Sequence, residues 1–230
     1  MSESADILVE GTDEDNYFGY GATSLSAESP LADFGKSSTV VVNVGEGSNY
    51  LSAGEYTAGG TNANLTYNGG DGVDQIKVVD AFGYPSNDSL TLNMGNGANS
   101  LIAGTDAAYF GHFRYNGGNG TDTLVFGSGS LSSNDSIVDL GDDTAADEIT
   151  FLGSAGFGLP NHPAVQNFDT DDGNMIYLPT DVTADISEIT AYGTDLTWED
   201  YSGHHCLTFA DLSSIGSDPA SVADLVPSFA

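Results

Sequence analysis

Apolar residues in this chain fall at alternate positions in short runs, and the runs recur. One series is Val40 and Val42, Leu65 and Tyr67, Leu90 and Leu92, Phe113 and Tyr115. A second is Leu51 and Ala53, Ile76 and Val78, Leu101 and Ala103, Leu124 and Phe126, Ile149 and Phe151. Alternation of period two predicts strands with one face buried. A glycine loop stands between the two runs of each unit, anchored at Gly45, Gly70, Gly95, Gly118 and Gly141, at steps of 25, 25, 23 and 23 residues. Each unit therefore reads as strand, glycine loop, strand and a longer return. One such unit cannot bury its apolar face alone, so the units must stack. The expected fold is all-β, a parallel β-roll or right-handed β-helix. It should have about seven rungs and a length of about 34 Å at the usual strand spacing.

The first rung fits "VEGTDEDNYF", with Gly11 as its anchor, and the last fits "VQNFDTDDGNMIYL". The repeats thus span 1–178, with an inserted loop near 20–37. Residues 179–230 form a C-terminal tail expected to cap the stack. In it, "TDLTWEDYSGHHCLTF" predicts a hairpin turning at Ser202 and Gly203. "SDPASVADLV" predicts a short helix, with Asp218 as its cap and Pro219 at its first position.

Two polar columns accompany the repeat. Asn43, Asn68, Asn93, Asn116 and Asp139 stand two residues before the anchors, and Asn167 continues them. Asparagine tolerates the backbone of a corner and its amide can bond the copy above, so a ladder of side chains is expected. Four residues after the anchors stand Asn49, Asp74, Asn99 and Asp122; Asp147 falls six after Gly141, in a loop two residues longer. In the first unit Asp15 holds this place, with Asp13 beside it. On one reading the glycines only turn the chain. On the other, the loops form sites for a hard cation. Calcium takes six to eight oxygens from carboxylates, carbonyls and amides, and stacked loops supply all three. Asp71, Asp142 and Asp143 add further carboxylates to the loops.

The charge sharpens this choice. Asp and Glu number 34 against three Lys and Arg, for a net charge of −31. Such a chain repels nucleic acid and anionic membranes and attracts cations. It also suits a salty environment without specific ions. No apolar run is long enough to span a membrane. The single cysteine, Cys206, excludes an internal disulfide framework. The first residues lack the basic and apolar regions of a cleaved secretory signal, so the chain is expected to be intracellular or exported by a signal elsewhere.

"GGDGVDQIK" (69–77) and "GGNGTDTLV" (117–125) both fit the nonapeptide G-G-x-G-x-D-x-U-x. In this the chain resembles the RTX proteins, the haemolysin-type calcium-binding repeat family. The resemblance implies a parallel β-roll with Ca²⁺ between adjacent turns. Asp74 and Asp122 would be its carboxylate ligands, and Gly69, Gly72, Gly117 and Gly120 its carbonyl donors. "VGEGSNYLS" and "MGNGANSLI" fit less fully, with Asn49 and Asn99 where the family has Asp, and "LGDDTAADEI" offers Asp142, Asp143 and Asp147. The family's nonapeptides usually run in tandem, whereas here each is followed by a longer return. The resemblance also implies export by a type I system reading an uncleaved C-terminal signal, and so an extracellular or cell-surface location.

Other chemistry is thinly represented. His204, His205 and Cys206 are consecutive; on a strand they face alternately and cannot share one metal. Cys206 reads as a small core residue. No H-E-x-x-H, P-loop, dinucleotide or G-x-S-x-G motif occurs. Lys77 and Arg114 are the only cations within the repeats, too few for the groove of a lyase or epimerase acting on acidic sugars. The expectation is a non-enzymatic, calcium-binding structural or adhesive protein that associates with itself head to tail. A glycan- or protein-binding extracellular module, with a cell-surface glycan as partner, and a carbohydrate-active β-helix enzyme stand as alternatives.

Overall fold

The computed structural model describes residues 6–14, 17–20, 39–53, 64–78, 89–104, 112–127, 136–152, 164–169, 172–179, 183–190, 193–200 and 203–210. The inserted loop, the returns, Asp15 and the expected C-terminal helix lie outside them. Among the described residues there is no helix.

The strands form two sheets. The first contains β1 (Asp6–Glu10), β3 (Thr39–Asn43), β5 (Asn64–Asn68), β7 (Ser89–Asn93), β9 (His112–Asn116), β11 (Ile137–Asp139) and β13 (Ala164–Gln166), in that order and all parallel. The second contains β2 (Tyr17–Tyr20), β4 (Asn49–Ala53), β6 (Asp74–Val78), β8 (Ser100–Ala103), β10 (Thr123–Phe126), β12 (Glu148–Phe151) and β14 (Met175–Tyr177), also parallel. Odd strands in one sheet and even strands in the other are the signature of a parallel β-solenoid. About seven rungs were expected; about four turns, β3 to β10, keep the full repeat, and β1, β2 and β11 to β14 continue the two sheets beyond it.

Register follows the apolar pattern. Val40, Leu65, Leu90 and Phe113 are in line across the first sheet, as are Leu51, Ile76, Leu101, Leu124 and Ile149 across the second. These side chains are buried and form one core between the sheets. The contact between the sheets is direct: Phe113 on β9 meets Phe126 on β10 edge to face at 6.1 Å, and Phe126 stacks on Phe151 of β12 at 5.6 Å. A one-residue slip would turn every one of these residues outward, so burial fixes the register.

The tail differs from expectation by one strand. The expected hairpin is present as β16 (Gly193–Asp200) and β17 (Gly203–Phe209), but β15 (Thr183–Thr190) precedes it as a third antiparallel strand. β17 joins β13 in parallel, so the three strands extend the first sheet. Trp198 and Phe209 carry the core onward, against Phe151 at 5.5 Å and Phe168 at 5.0 Å. Cys206 is buried, and burial together with the charge of Asp195 pushes its thiol up to about 12.

Candidate functional site

The glycine loops stack along one corner between the sheets, and their backbones bond from rung to rung: Gly69 N–H to Asn93 O at 2.7 Å, Gly97 N–H to Asn119 O at 2.7 Å, Gly117 N–H to Asp139 O at 2.8 Å. Just before each loop runs the expected amide ladder. The Asn43 side-chain N–H₂ donates to Glu10 Oε1 at 2.9 Å, Asn68 to Asn43 Oδ1 at 2.6 Å, Asn93 to Asn68 Oδ1 at 2.6 Å, and Asn116 to Asn93 Oδ1. Asp139 has no N–H to donate. It accepts instead, from Asn167 at 2.7 Å and from Gly141 N–H at 3.1 Å.

Just after each loop lies the second column: Asn49, Asp74, Asn99, Asp122, Asp147 and Asn174. All six are at most 5% exposed, and Asp74 and Asp122 are 0% and 1%. The cause is register. Asp74 precedes Ile76 and Val78 by two and four residues, so it shares their inward face. The column is strung on a repeated bond in which each backbone N–H donates to the Oδ1 of the next rung. Asp74 N–H reaches Asn99 at 3.0 Å, Asn99 N–H reaches Asp122 at 3.2 Å, Asp122 N–H reaches Asp147 at 2.8 Å, and Asp147 N–H reaches Asn174 at 2.8 Å.

The other end of each side chain separates the rungs. Asn49 turns its N–H₂ into its own loop, to Gly47 O at 2.7 Å and Gly45 O at 3.3 Å, and also meets Asp74 Oδ1 at 2.8 Å. Asn99 does the same with Gly97 O at 3.2 Å and Gly95 O at 3.4 Å. A carboxylate has no hydrogen for this task. The Oδ2 atoms of Asp74 and Asp122 are buried with no hydrogen-bond partner. Each points at a glycine: a Cβ added at Gly69 would strike Asp74 Oδ2 and the Met94 carbonyl, and one added at Gly117 would strike Asp122 Oδ2 and the Leu140 carbonyl. At each glycine a carboxylate oxygen thus comes up beside a backbone carbonyl, and the hydroxyl that adjoins the carboxyl, Tyr67 at Asp74 and Tyr115 at Asp122, is neutral.

Electrostatics agree. Burial raises the carboxyl of Asp74 above its usual range. Burial, then the charge of Asp147, lifts Asp122 to about 7. Burial lifts Asp147 to about 6, against a backbone hydrogen bond that lowers it. Tyr67 and Tyr115 stand beside Asp74 and Asp122. Both hydroxyls are buried and neither has a well-formed hydrogen bond; burial and then the neighbouring Asp hold both phenols protonated.

The remaining residues expected at the site are placed as follows. Asp71 and Asp142 are exposed, and Asp71 accepts from Asn96 at 2.8 Å. Asp143 caps its own loop at Ala145 N–H, 2.7 Å away, and accepts from Gly120 N–H. Asp13 is exposed beside Gly45. The side chains of His204 and His205 lie outside the described residues. The carbonyls of Gly72 and Gly97 are turned along the stack, towards Gly97 and Gly120 respectively. Among the described residues no three His, Cys, Asp or Glu side chains converge. A cation here would be held by one carboxylate oxygen and backbone carbonyls, a donor set that suits a hard ion such as Ca²⁺ and not zinc. The unpartnered Oδ2 atoms of Asp74 and Asp122 and the Met94 and Leu140 carbonyls beside them are donors of the kind such an ion takes. Comparison with protein-family models, with curated proteins and with solved structures gave no match, so the β-solenoid is established by its geometry and the RTX likeness rests on the two nonapeptides alone.

Proposed function

We propose that this chain is an extracellular structural protein whose solenoid is stabilised by calcium and which assembles end to end, on or near a cell surface. The observation that carries this reading is the pair of buried, unpartnered Oδ2 atoms of Asp74 and Asp122, each aimed at a backbone carbonyl across a glycine. An ion bound there only in the folded state would add stability by mass action. Extracellular calcium sites of this weak, carbonyl-rich kind operate at about 10⁻⁴–10⁻³ M, the range found outside cells.

Assembly is supported by the sheet order. Among the described residues β1 and β15 end the first sheet, and β2 and β14 end the second. Terminal strands carry N–H and C=O groups on one side that another chain can pair with. A copy that sets its β2 against β14 continues the all-parallel second sheet head to tail, which leads to filaments and not to a closed dimer, while the first sheet ends in the antiparallel β15. The charge of −31 opposes contact between free molecules, and bound divalent ions reduce it. Sedimentation velocity with negative-stain microscopy tests this, in millimolar calcium and in sodium chloride of equal ionic strength. Calcium is expected to convert monomer into long, unbranched assemblies. A monomer at high protein concentration under both conditions removes the assembly reading and leaves a soluble binding module, with a surface glycan as the natural partner.

A further inference from the structure

The repeats are not equivalent, and the difference is systematic. Where the inward residue after the loop is Asp74, glycine (Gly69) stands five residues before it and tyrosine (Tyr67) seven before. Asp122 has Gly117 and Tyr115 at the same offsets. Where the inward residue is Asn49 or Asn99, the position five before holds Val44 or Met94, and the position seven before holds Val42 or Leu92. Met94 is fully buried and Val44 packs on the core, so the space that glycine leaves open in one kind of rung is filled by a side chain in the other.

We propose that the Asn rungs carry a built-in substitute for the ion, the side-chain N–H₂ of Asn49 and Asn99. Only rungs combining glycine with aspartate bind a cation, so this solenoid holds two, at Asp74 and Asp122. This rests on the cation reading above and deepens it by fixing the number and spacing of the ions. The chemistry is a matter of sign. In an Asn rung the positive end of the amide dipole is delivered to the loop carbonyls, Gly45 O and Gly47 O or Gly95 O and Gly97 O. In an Asp rung the equivalent oxygen is an acceptor beside a backbone carbonyl, with the neutral hydroxyl of Tyr67 or Tyr115 next to the carboxyl; a proton settles it in acid, and a bound cation settles it once the carboxyl is ionised. The Asn99 rung between the two sites also keeps the ions two rung spacings apart, about 10 Å, which limits repulsion between two dications. Asp147 does not qualify. Its loop is longer, Asp142 stands five residues before it, and neither of its carboxyl oxygens is both buried and unpartnered, as the Oδ2 atoms of Asp74 and Asp122 are.

Calcium bound per folded chain, counted by equilibrium dialysis with elemental analysis, tests this. Tyrosine-sensitised terbium luminescence serves as a second readout, because Tyr67 and Tyr115 flank the two sites. The native chain is expected to bind two ions. Asp74→Asn alone gives that rung the side-chain amide of Asn99 without adding a Cβ at Gly69, where the Met94 carbonyl stands in the way; it should stay folded by circular dichroism and bind one. Met94→Gly with Asn99→Asp makes the reverse conversion and should bind three. Asp122→Asn alone, nearly isosteric and so least able to disturb the fold, should also bind one. Asn99→Asp alone should gain no ion, because Met94 still fills the space. The inference is overturned if the native chain binds two while the Asp-to-Asn conversions keep both, or if Asn99→Asp alone gains one. A native chain that binds none overturns the calcium reading itself.

Discussion

Freed of calcium, the protein is expected to be less stable at pH 8 than at pH 5, and calcium is expected to reverse that order. The carboxyl of Asp122 titrates at about 7 in the folded chain against 3.8 for an ordinary Asp, and that of Asp147 at about 6. The folded state therefore holds these protons more tightly than the unfolded state does. No penalty applies below pH 4, where both states are protonated. It grows as the pH rises towards 7 and is complete above that, where the folded chain must keep a buried charge. Keeping the Asp122 carboxylate ionised in the folded chain costs about 4 kcal/mol on this basis. A net effect of about half that would move the midpoint of a chain this size by about 5 °C. Repulsion within the chain of −31 acts in the same direction. Bound calcium needs the ionised carboxylate, so it stabilises most at pH 8 and is displaced by acid. Thermal melts of calcium-free, dialysed protein at pH 5 to 8, with and without added calcium, provide the measurement. Asp122→Asn should flatten the calcium-free profile. A calcium-free midpoint that stays level or rises from pH 5 to 8 would contradict the account.

The second large effect is expected at Gly118. Its φ is +94°, and a Cβ there would meet the Gly95 carbonyl of the rung below far inside contact distance. Gly173 has nearly the same φ, +91°, but a Cβ there meets only Ala146 Cβ at 3.4 Å. Alanine at Gly173 therefore costs the backbone strain alone, about 1–2 kcal/mol. Alanine at Gly118 adds a collision with backbone that stacked rungs cannot move aside, and should cost several kcal/mol more or prevent folding. Urea denaturation of the two variants separates strain from collision. Equal losses would show that the loops are not stacked as closely as described.

Much of this architecture was legible in the letters, because it rests on local periodicity. The period-two runs named the strands, their spacing by 23 and 25 residues named the stacking, and Asn43, Asn68, Asn93 and Asn116 named the ladder. β15 was less visible because a strand at the end of a sheet is defined by its partner, and the pairing of β17 with β13 joins residues more than 40 apart. Within the loops the sequence did not separate Asp71 and Asp142 from Asp74 and Asp122, since all four are acids in glycine-rich turns. Register separates them: only Asp74 and Asp122 fall on the inward face of the strand that follows. The contrast between glycine with aspartate and an apolar residue with asparagine was also written in the chain. Its meaning needed the direction of the Asn49 and Asn99 amides, which no spacing reveals.

Apart from β13, which also takes β17, each parallel strand of the two sheets up to β14 pairs only with strands one turn away, 23 to 33 residues along the chain. Unwinding a rung from an end breaks one interface, whereas freeing one in the middle breaks two. Opening should therefore travel inward as fraying, and backbone amides should exchange with solvent hydrogen along a gradient, slowest in β7 to β10. The gradient should be lopsided. Trp198 and Phe209 seal the core where β16 and β17 extend the first sheet, so exchange should begin at β1 and β2.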